Sequence, residues 1–213
     1  MRILSLTLLL ASMTVFGQAQ IQVNARFVEY PADGAADAHV QAQLAESDKG
    51  IVAAEPLMAM LSSTAGADIL SAPKVTTFSG QKAEIKIVEE RFFEPDVPTE
   101  IGISLSVTPT LADSAIQLDL HARITEFLGF KKADKSPILR SRIIERKVSL
   151  APGETVLLPG PSIQSEVVIE DCVPLLGSIP LLGRLFRCKT TETTTRNLLL
   201  IVSADLVQPT DSQ

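Results

Sequence analysis

Apolar and polar residues alternate along much of this chain with a period of two. Ile101, Ile103, Leu105 and Val107 are interleaved with Gly102, Ser104, Ser106 and Thr108. After a polar turn at Ala112, Asp113 and Ser114, the alternation resumes through Ile116, Leu118, Leu120, Ala122 and Ile124. Successive side chains of a strand point to opposite faces, so the pattern predicts a hairpin of two long strands with one apolar and one polar side. The polar side carries Gln117, Asp119, His121, Arg123 and Thr125 and has to meet water or an aqueous lumen. The apolar side suits either of two settings, the wall of a barrel or the core of a sandwich. Shorter runs predict strands over Val23–Tyr30, Lys74–Phe78, Ala83–Val88, Ile143–Leu150, Thr155–Leu158, Ile163–Ile169 and Leu198–Val207. Ser79–Gly80 and Pro152–Gly153 punctuate them as turns.

One short helix is predicted near the front. Pro56 suits a first helical turn, Leu57, Met60 and Leu61 fall at helical spacing, and Gly66 stands after them as a stop. Met58 and Met60 read as core filler, not as ligands. Residues 32–49 are polar and alanine-rich without a clean period, and read as loop or weak helix. Met1–Ala19 has the form of a secretory signal: Arg2 supplies the positive start, Ile3–Val15 the apolar stretch, and Gly17-Gln18-Ala19 a small-x-small cleavage site. No internal repeat and no Ser/Gly/Pro linker divides the chain beyond that segment, so residues 20–207 are expected to form one domain, with a tail at 208–213.

Charge and composition narrow the function. Nineteen Lys+Arg against 25 Asp+Glu give a net charge of −6, which leaves no basic footprint for nucleic acid. With 46% apolar and 21% charged residues, the chain folds or inserts and does not stay disordered. Eight Phe, Tyr30 and no Trp are too few for the aromatic girdles of a self-contained outer-membrane porin. Catalytic chemistry has little to build on: His39 and His121 have no partners at metal-ligand spacing, and Glu89–Glu90 and Glu170–Asp171 read as solvated turns. Neither enzymatic activity nor a metal or cofactor is expected.

One stretch differs in kind. Val173, Pro174, Leu175, Leu176, Gly177, Ile179, Pro180, Leu181, Leu182, Gly183, Leu185 and Phe186, interrupted only by Ser178 and Arg184, contain Pro-Leu-Leu-Gly twice, six residues apart. Proline denies continuous strand pairing and glycine permits positive φ, so the chain turns repeatedly while offering apolar side chains. A buried lip, a subunit seam and a membrane-interface wedge are the physical options. Cys172 and Cys188, the only cysteines, bracket this stretch. In an exported protein they are expected to form a disulfide, the alternative being two free buried thiols.

Val173–Phe186, with Asn197–Val207 a short distance beyond it, resembles the carboxy-terminal signature of the bacterial secretins, the outer-membrane channel proteins of type II and type III secretion systems and type IV pili. Further matches run in family order through Ile69–Thr77, Ser79–Ile85, Ile101–Pro109 and Pro152–Val156. The resemblance implies a mainly β, secretin-type domain contributing strands to a large homo-oligomeric β-barrel, with a second barrel or gate inside it. It implies a conduit for protein secretion in the bacterial outer membrane, with other copies of itself, outer-membrane lipid, secretion-system components and exported cargo as partners. The rival reading is a soluble periplasmic scaffold or binding module that keeps the fold without a pore.

Two departures from the family pattern stand out. Family members carry several small periplasmic domains ahead of this one, whereas here the signal segment leads within a few residues to Ile21–Glu29, which resembles the strand that opens the domain. Between Val88 and Ile101 the family inserts the hairpin that closes the lumen; Glu89–Glu100, broken by Pro95 and Pro98, is expected to be too short for it. Glu89, Glu90, Glu94 and Asp96 in that segment are candidates for a pore constriction, or else an ordinary acidic surface loop.

Overall fold

The period-two pattern builds two antiparallel sheets. In the computed structural model, which describes residues 19–46, 51–52, 54–94, 97–172 and 187–207, the elements come in chain order. They are β1 (Gln20–Pro31), α1 (Ala35–Glu46), β2 (Ile51–Val52), α2 (Ala54–Ser63), β3 (Asp68–Ser71), β4 (Lys74–Phe78) and β5 (Ala83–Glu94). After these come β6 (Val97–Ala112), β7 (Ala115–Phe130), β8 (Pro137–Leu150), β9 (Thr155–Pro159), β10 (Ile163–Cys172) and β11 (Arg187–Val207). The seven-stranded sheet runs β2-β9-β11-β1-β3, with β4 also on β1 and β10 on β11. Its spine is β1 against β11, in register from Gln20↔Val207 to Pro31↔Arg196. The four-stranded sheet is an up-and-down meander, β5-β6-β7-β8.

The two sheets share one core. Ile21, Val23, Ala25 and Phe27 of β1 and Leu198, Leu200, Val202 and Ala204 of β11 face Leu105 and Val107 of β6, Ile116–Ile124 at every second position of β7, and Ile144 and Leu150 of β8. The apolar side of the predicted hairpin therefore lies between the sheets: Leu118 and Leu120 are fully buried there, each contributing about 1.5 to 3 kcal/mol by leaving water. Within one chain, the seven-stranded sheet is what covers that apolar side. Leu199 and Ile201 point the other way and are buried too, which is why Leu198–Val202 is a continuous apolar run and not an alternating one.

That second layer corrects the expectation of a single helix. α1 forms over most of the alanine-rich segment because Ala36, Val40 and Leu44 recur at four-residue spacing. They pack with Leu57 and Leu61 of α2 on Val28, Tyr30, Leu199 and Ile201, and Met58 and Met60 sit at the margin of the same cluster. Burial, with Asp37 nearby, pushes the Tyr30 phenol up to about 12, and Asn197 donates to Asp37 Oδ1 at 2.7 Å, tying α1 to β11.

Several strands outrun the predicted ranges. β5 continues to Glu94 and pairs with β6 down to Glu94↔Val97, with a bulge between Phe92 and Glu94. The prolines do not stop this pairing. Pro98 lies opposite Phe92, beyond the last β6–β7 pair at Gly102↔Thr125, so β6 is an edge strand on that side and a missing N–H there forfeits no ladder bond. β11 likewise extends forward to Arg187, and β10 accompanies it to Cys172↔Arg187.

Candidate functional site

The side of the four-stranded sheet turned away from the core is polar throughout its middle. Ser104, Ser106 and Thr108 of β6 lie beside Arg123, His121 and Asp119 of β7, rung by rung. Charged and polar groups there pair across strands: Lys86 Nζ donates to Glu100 Oε1 at 2.6 Å, Lys147 Nζ stands 2.9 Å from Asp119 Oδ2, and His121 Nδ1 stands 2.9 Å from Glu145 Oε1. The hydrogen bond to Glu100 raises the Lys86 ammonium above its ordinary range. All these side chains are well exposed, so solvent screens the pairs and they add little to stability. What they provide is a hydrated wall of interspersed charge. An open groove of about 430 Å³ crosses it between Glu100, Arg123, Thr125 and Ser141.

The β5–β6 and β7–β8 connections of this sheet lie at the same end, opposite the β6–β7 turn, and aromatic residues gather there. Phe93 stacks on Phe127 with ring centroids 5.0 Å apart, Phe130 meets both edge-on at 5.9 and 5.1 Å, and the Arg91 guanidinium lies 5.5 Å from the Phe127 centroid. Phe92, 67% exposed, flanks the cluster. Half of the eight Phe thus sit at one end of one sheet, which a count of aromatics does not show. The cue in the sequence is that Phe92–Phe93 and Phe127–Phe130 each flank a turn of the same meander.

The structure brings Glu89 and Glu90 onto the last rungs before that tip, with Glu94 at the final pair; Asp96 and Pro95 lie outside the described residues. Arg91 grips Glu89 with Nε to Oε1 at 2.9 Å and Nη2 to Oε2 at 3.2 Å, which holds the Glu89 carboxyl below its usual range. Glu90 stands directly opposite Glu100, a like-charge rung eased by Lys86 on Glu100. His39 is exposed on α1. Among the described residues no three of His, Cys, Asp and Glu are arranged to hold a metal ion.

The signature segment, Val173–Phe186, lies outside the described residues; β10 and β11, its neighbours in sequence, pair as far as Cys172↔Arg187. The side chains of Cys172 and Cys188 are outside the description too. Along the β10–β11 ladder Cys172 pairs with Arg187 and Cys188 with Asp171.

A buried charge cluster was missed from the sequence. Arg142, 3% exposed, reaches Glu29 Oε2 at 3.1 Å and Glu126 Oε1 at 2.9 Å through Nη2, joining β8 and β7 to β1. Arg196 of β11 approaches Glu29 Oε1 at 2.5 Å through Nε, and its Nη2 donates to Asp68 Oδ2 at 2.7 Å and to the Gly66 carbonyl at 2.9 Å. The cue was parity: Arg142 occupies a core-facing position of β8, in step with Ile144 and Leu150.

A protein-family model, Secretin, described as bacterial type II and III secretion system protein, matches residues 60–208. The chain belongs to the secretin family. Secretin XcpQ of Pseudomonas aeruginosa is 32% identical over 171 residues, which cover 71% of this chain and 26% of that protein. The type II secretion system secretin GspD of Escherichia coli K12, solved by electron cryomicroscopy, superimposes with a TM-score of 0.53 at 22% identity, over 90% of this chain and 51% of that one. A Klebsiella pneumoniae type II secretion system outer membrane complex of PulD, PulS and the PulC HR domain gives 0.52 at 19% identity, over 91% and 41% of the two chains. The chain spans about a quarter of the length of the curated relatives it matches.

The secretin match runs from α2 through β11, so it embraces the whole four-stranded sheet. It is a family of secretion-system proteins, not of enzymes. The motif Ile101–Pro109 falls on β6, and the structure explains its glycine. Gly102 adopts φ +135°, and a Cβ there would lie 2.3 Å from the Ile87 carbonyl oxygen.

Proposed function

We propose that this secretin-family chain is a subunit of a homo-oligomeric conduit for protein secretion in the bacterial outer membrane. The observation that carries the reading is the two-sided four-stranded sheet: its apolar side is consumed by the seven-stranded sheet, and its other side is a hydrated, mixed-charge wall ending in open strand edges. Two stacked sheets suit two concentric walls, and closure through neighbouring copies removes the edges that each sheet leaves open. The polar side then lines the lumen, and the acidic segment of Glu89, Glu90, Glu94 and Asp96 is repeated once per subunit around the ring. The outer-membrane setting and secretion-system partners draw on the likeness to the Klebsiella complex. The scaffold alternative draws on no feature of this structure.

Imaging of membrane fractions for ring-shaped particles, with planar-bilayer recording on the purified oligomer, tests the proposal. Rings with steady, cation-selective conductance are expected, and replacing Glu89, Glu90 and Glu94 with Gln and Asp96 with Asn should weaken the selectivity while conductance persists. A soluble monomer, or a silent bilayer despite confirmed insertion, would remove the conduit.

We further propose a Cys172–Cys188 disulfide at the base of the signature segment. A closed loop of this size contributes about 3 kcal/mol on chain-entropy grounds. The two cysteines stand one position out of register, so the bridge requires the last rung of the β10–β11 ladder to slip. Thiol labelling of denatured, unreduced protein should find no free cysteine; two labels per chain would show that the bridge is not made.

A further inference from the structure

The two free edges of the four-stranded sheet are complementary to each other. Within the described residues β5 pairs only with β6 and β8 only with β7, leaving a 12-residue and a 14-residue strand each with one open edge. The meander has an even number of strands, so β5 and β8 run in opposite directions. Copies arranged head to tail around a ring therefore bring β8 of one against β5 of the next as an antiparallel pair, the orientation already used throughout the sheet.

The side chains select a register. On the polar side β5 presents Glu84, Lys86, Val88, Glu90 and Phe92, and β8 presents Lys147, Glu145, Ile143, Ser141 and Leu139. Running the rungs straight across the sheet sets Glu84 level with Glu145, two like charges, and Lys86 level with Ile143. A stagger of two residues instead sets Glu84 against Lys147, Lys86 against Glu145, Val88 against Ile143 and Phe92 against Leu139. A further two sets Lys86 against Lys147. Closing a barrel demands stagger, and the two-residue step is the one that matches charge with charge and apolar with apolar. It also covers exposed apolar groups: Ile143 is 45% exposed and Ile87 51%, and on the opposite side of the sheet Ile87 falls against Ile144. One rung on that side, Arg91 against Arg140, is unfavourable; Arg91 is already engaged by Glu89.

We infer that copies of this chain join through a β8–β5 seam in which Lys147 meets Glu84, Glu145 meets Lys86 and Ile143 meets Val88 of the neighbour. The seam would extend the existing pairs, Lys147 with Asp119, Glu145 with His121 and Lys86 with Glu100, into rows of alternating charge across each subunit boundary. This inference rests on the ring proposed above and specifies its inner wall.

Paired cysteine substitution reads the register directly. After oxidation of membrane-embedded protein, Val88→Cys with Ile143→Cys should give a ladder of covalent multimers on non-reducing gels, absent from either single variant. Val88→Cys with Ser141→Cys, the unstaggered pairing, should not. A ladder from the second pair alone would overturn the register, and rings that cross-link through neither pair would overturn the seam. Absence of rings in the unmodified protein would instead remove the conduit itself, and the seam with it. As a second measurement, Lys147→Glu should reduce ring yield roughly fivefold and Glu84→Lys in the same chain should restore it; an equal loss in the double variant would count against the pairing. Both residues are exposed, so the subunit fold is expected to survive.

Discussion

Replacing Arg142 with alanine is expected to destabilise the folded chain by about 3 kcal/mol, the cost of removing the shared cation from buried Glu29 and half-buried Glu126. Glu29, 7% exposed, would keep only Arg196, and Glu126 would lose the guanidinium 2.9 Å away. The cluster is not an efficient source of stability. Nε and Nη1 of Arg142 and Oε2 of Glu126 find no partner among the described residues, so part of the desolvation cost goes unreturned. A chain carrying Glu29→Met, Glu126→Leu and Arg142→Met together should therefore be far less impaired than Arg142→Ala alone. Urea unfolding of the three proteins measures this, and equal losses in the single and triple variants would show that side-chain volume, not charge, is what matters at this site.

The second large effect concerns Gly102. Alanine there meets two obstacles at once: a φ of +135° that side chains with a Cβ rarely adopt, and a carbonyl oxygen 2.3 Å from the new carbon with the Val88 Cα at 2.9 Å. Backbone atoms of a paired strand cannot swing aside as the end of a side chain can. Strain and overpacking together are expected to cost roughly 2 to 5 kcal/mol, and to do so by opening the β5–β6 ladder at Val88↔Gly102. Hydrogen exchange should show protection lost first at Ile87, Val88 and Ile103, with the β1–β11 spine unchanged. Retained protection at those amides would mean that the ladder absorbs the methyl group. Gly80, also at positive φ but with open space around it, serves as a comparison: alanine there should bring conformational strain alone.

How much of this was legible in the sequence depended on which force set each element. β6 and β7 were clear because one face is buried and the other wet, which writes a period of two into the residues. The family signature was clear because Pro and Gly at fixed spacing are rarely accidental. α1 was obscured because its buried stripe is only Ala36, Val40 and Leu44 among small and polar residues, a narrow seam against a helix-rich layer. The true reach of β5 and β11 was obscured because their ends carry charge or threonine and lie beyond the shared core, where pairing alone extends the strand. Arg142 was hidden by its own chemistry: a lone charge in a strand reads as exposed, and only its parity with Ile144 betrays it. The aromatic cluster required knowing that two turns fall at the same end of one sheet.

The charge cluster of Glu29, Arg142 and Glu126 also governs how the two sheets can move. Leucine and valine contacts between sheets are nearly interchangeable, so an apolar interface by itself offers little resistance to sliding by one rung of about 3.3 Å. A guanidinium held by carboxylates from both sheets has one position, and a slide of that size would strip Arg142 from Glu29. The cluster is a pin through the two layers. Displacement of the aromatic tips must then come from bending of β5–β8 beyond the pin, between Arg142 and Pro137 on β8 and beyond Glu126 on β7, while the remainder of the sheet stays fixed to its partner.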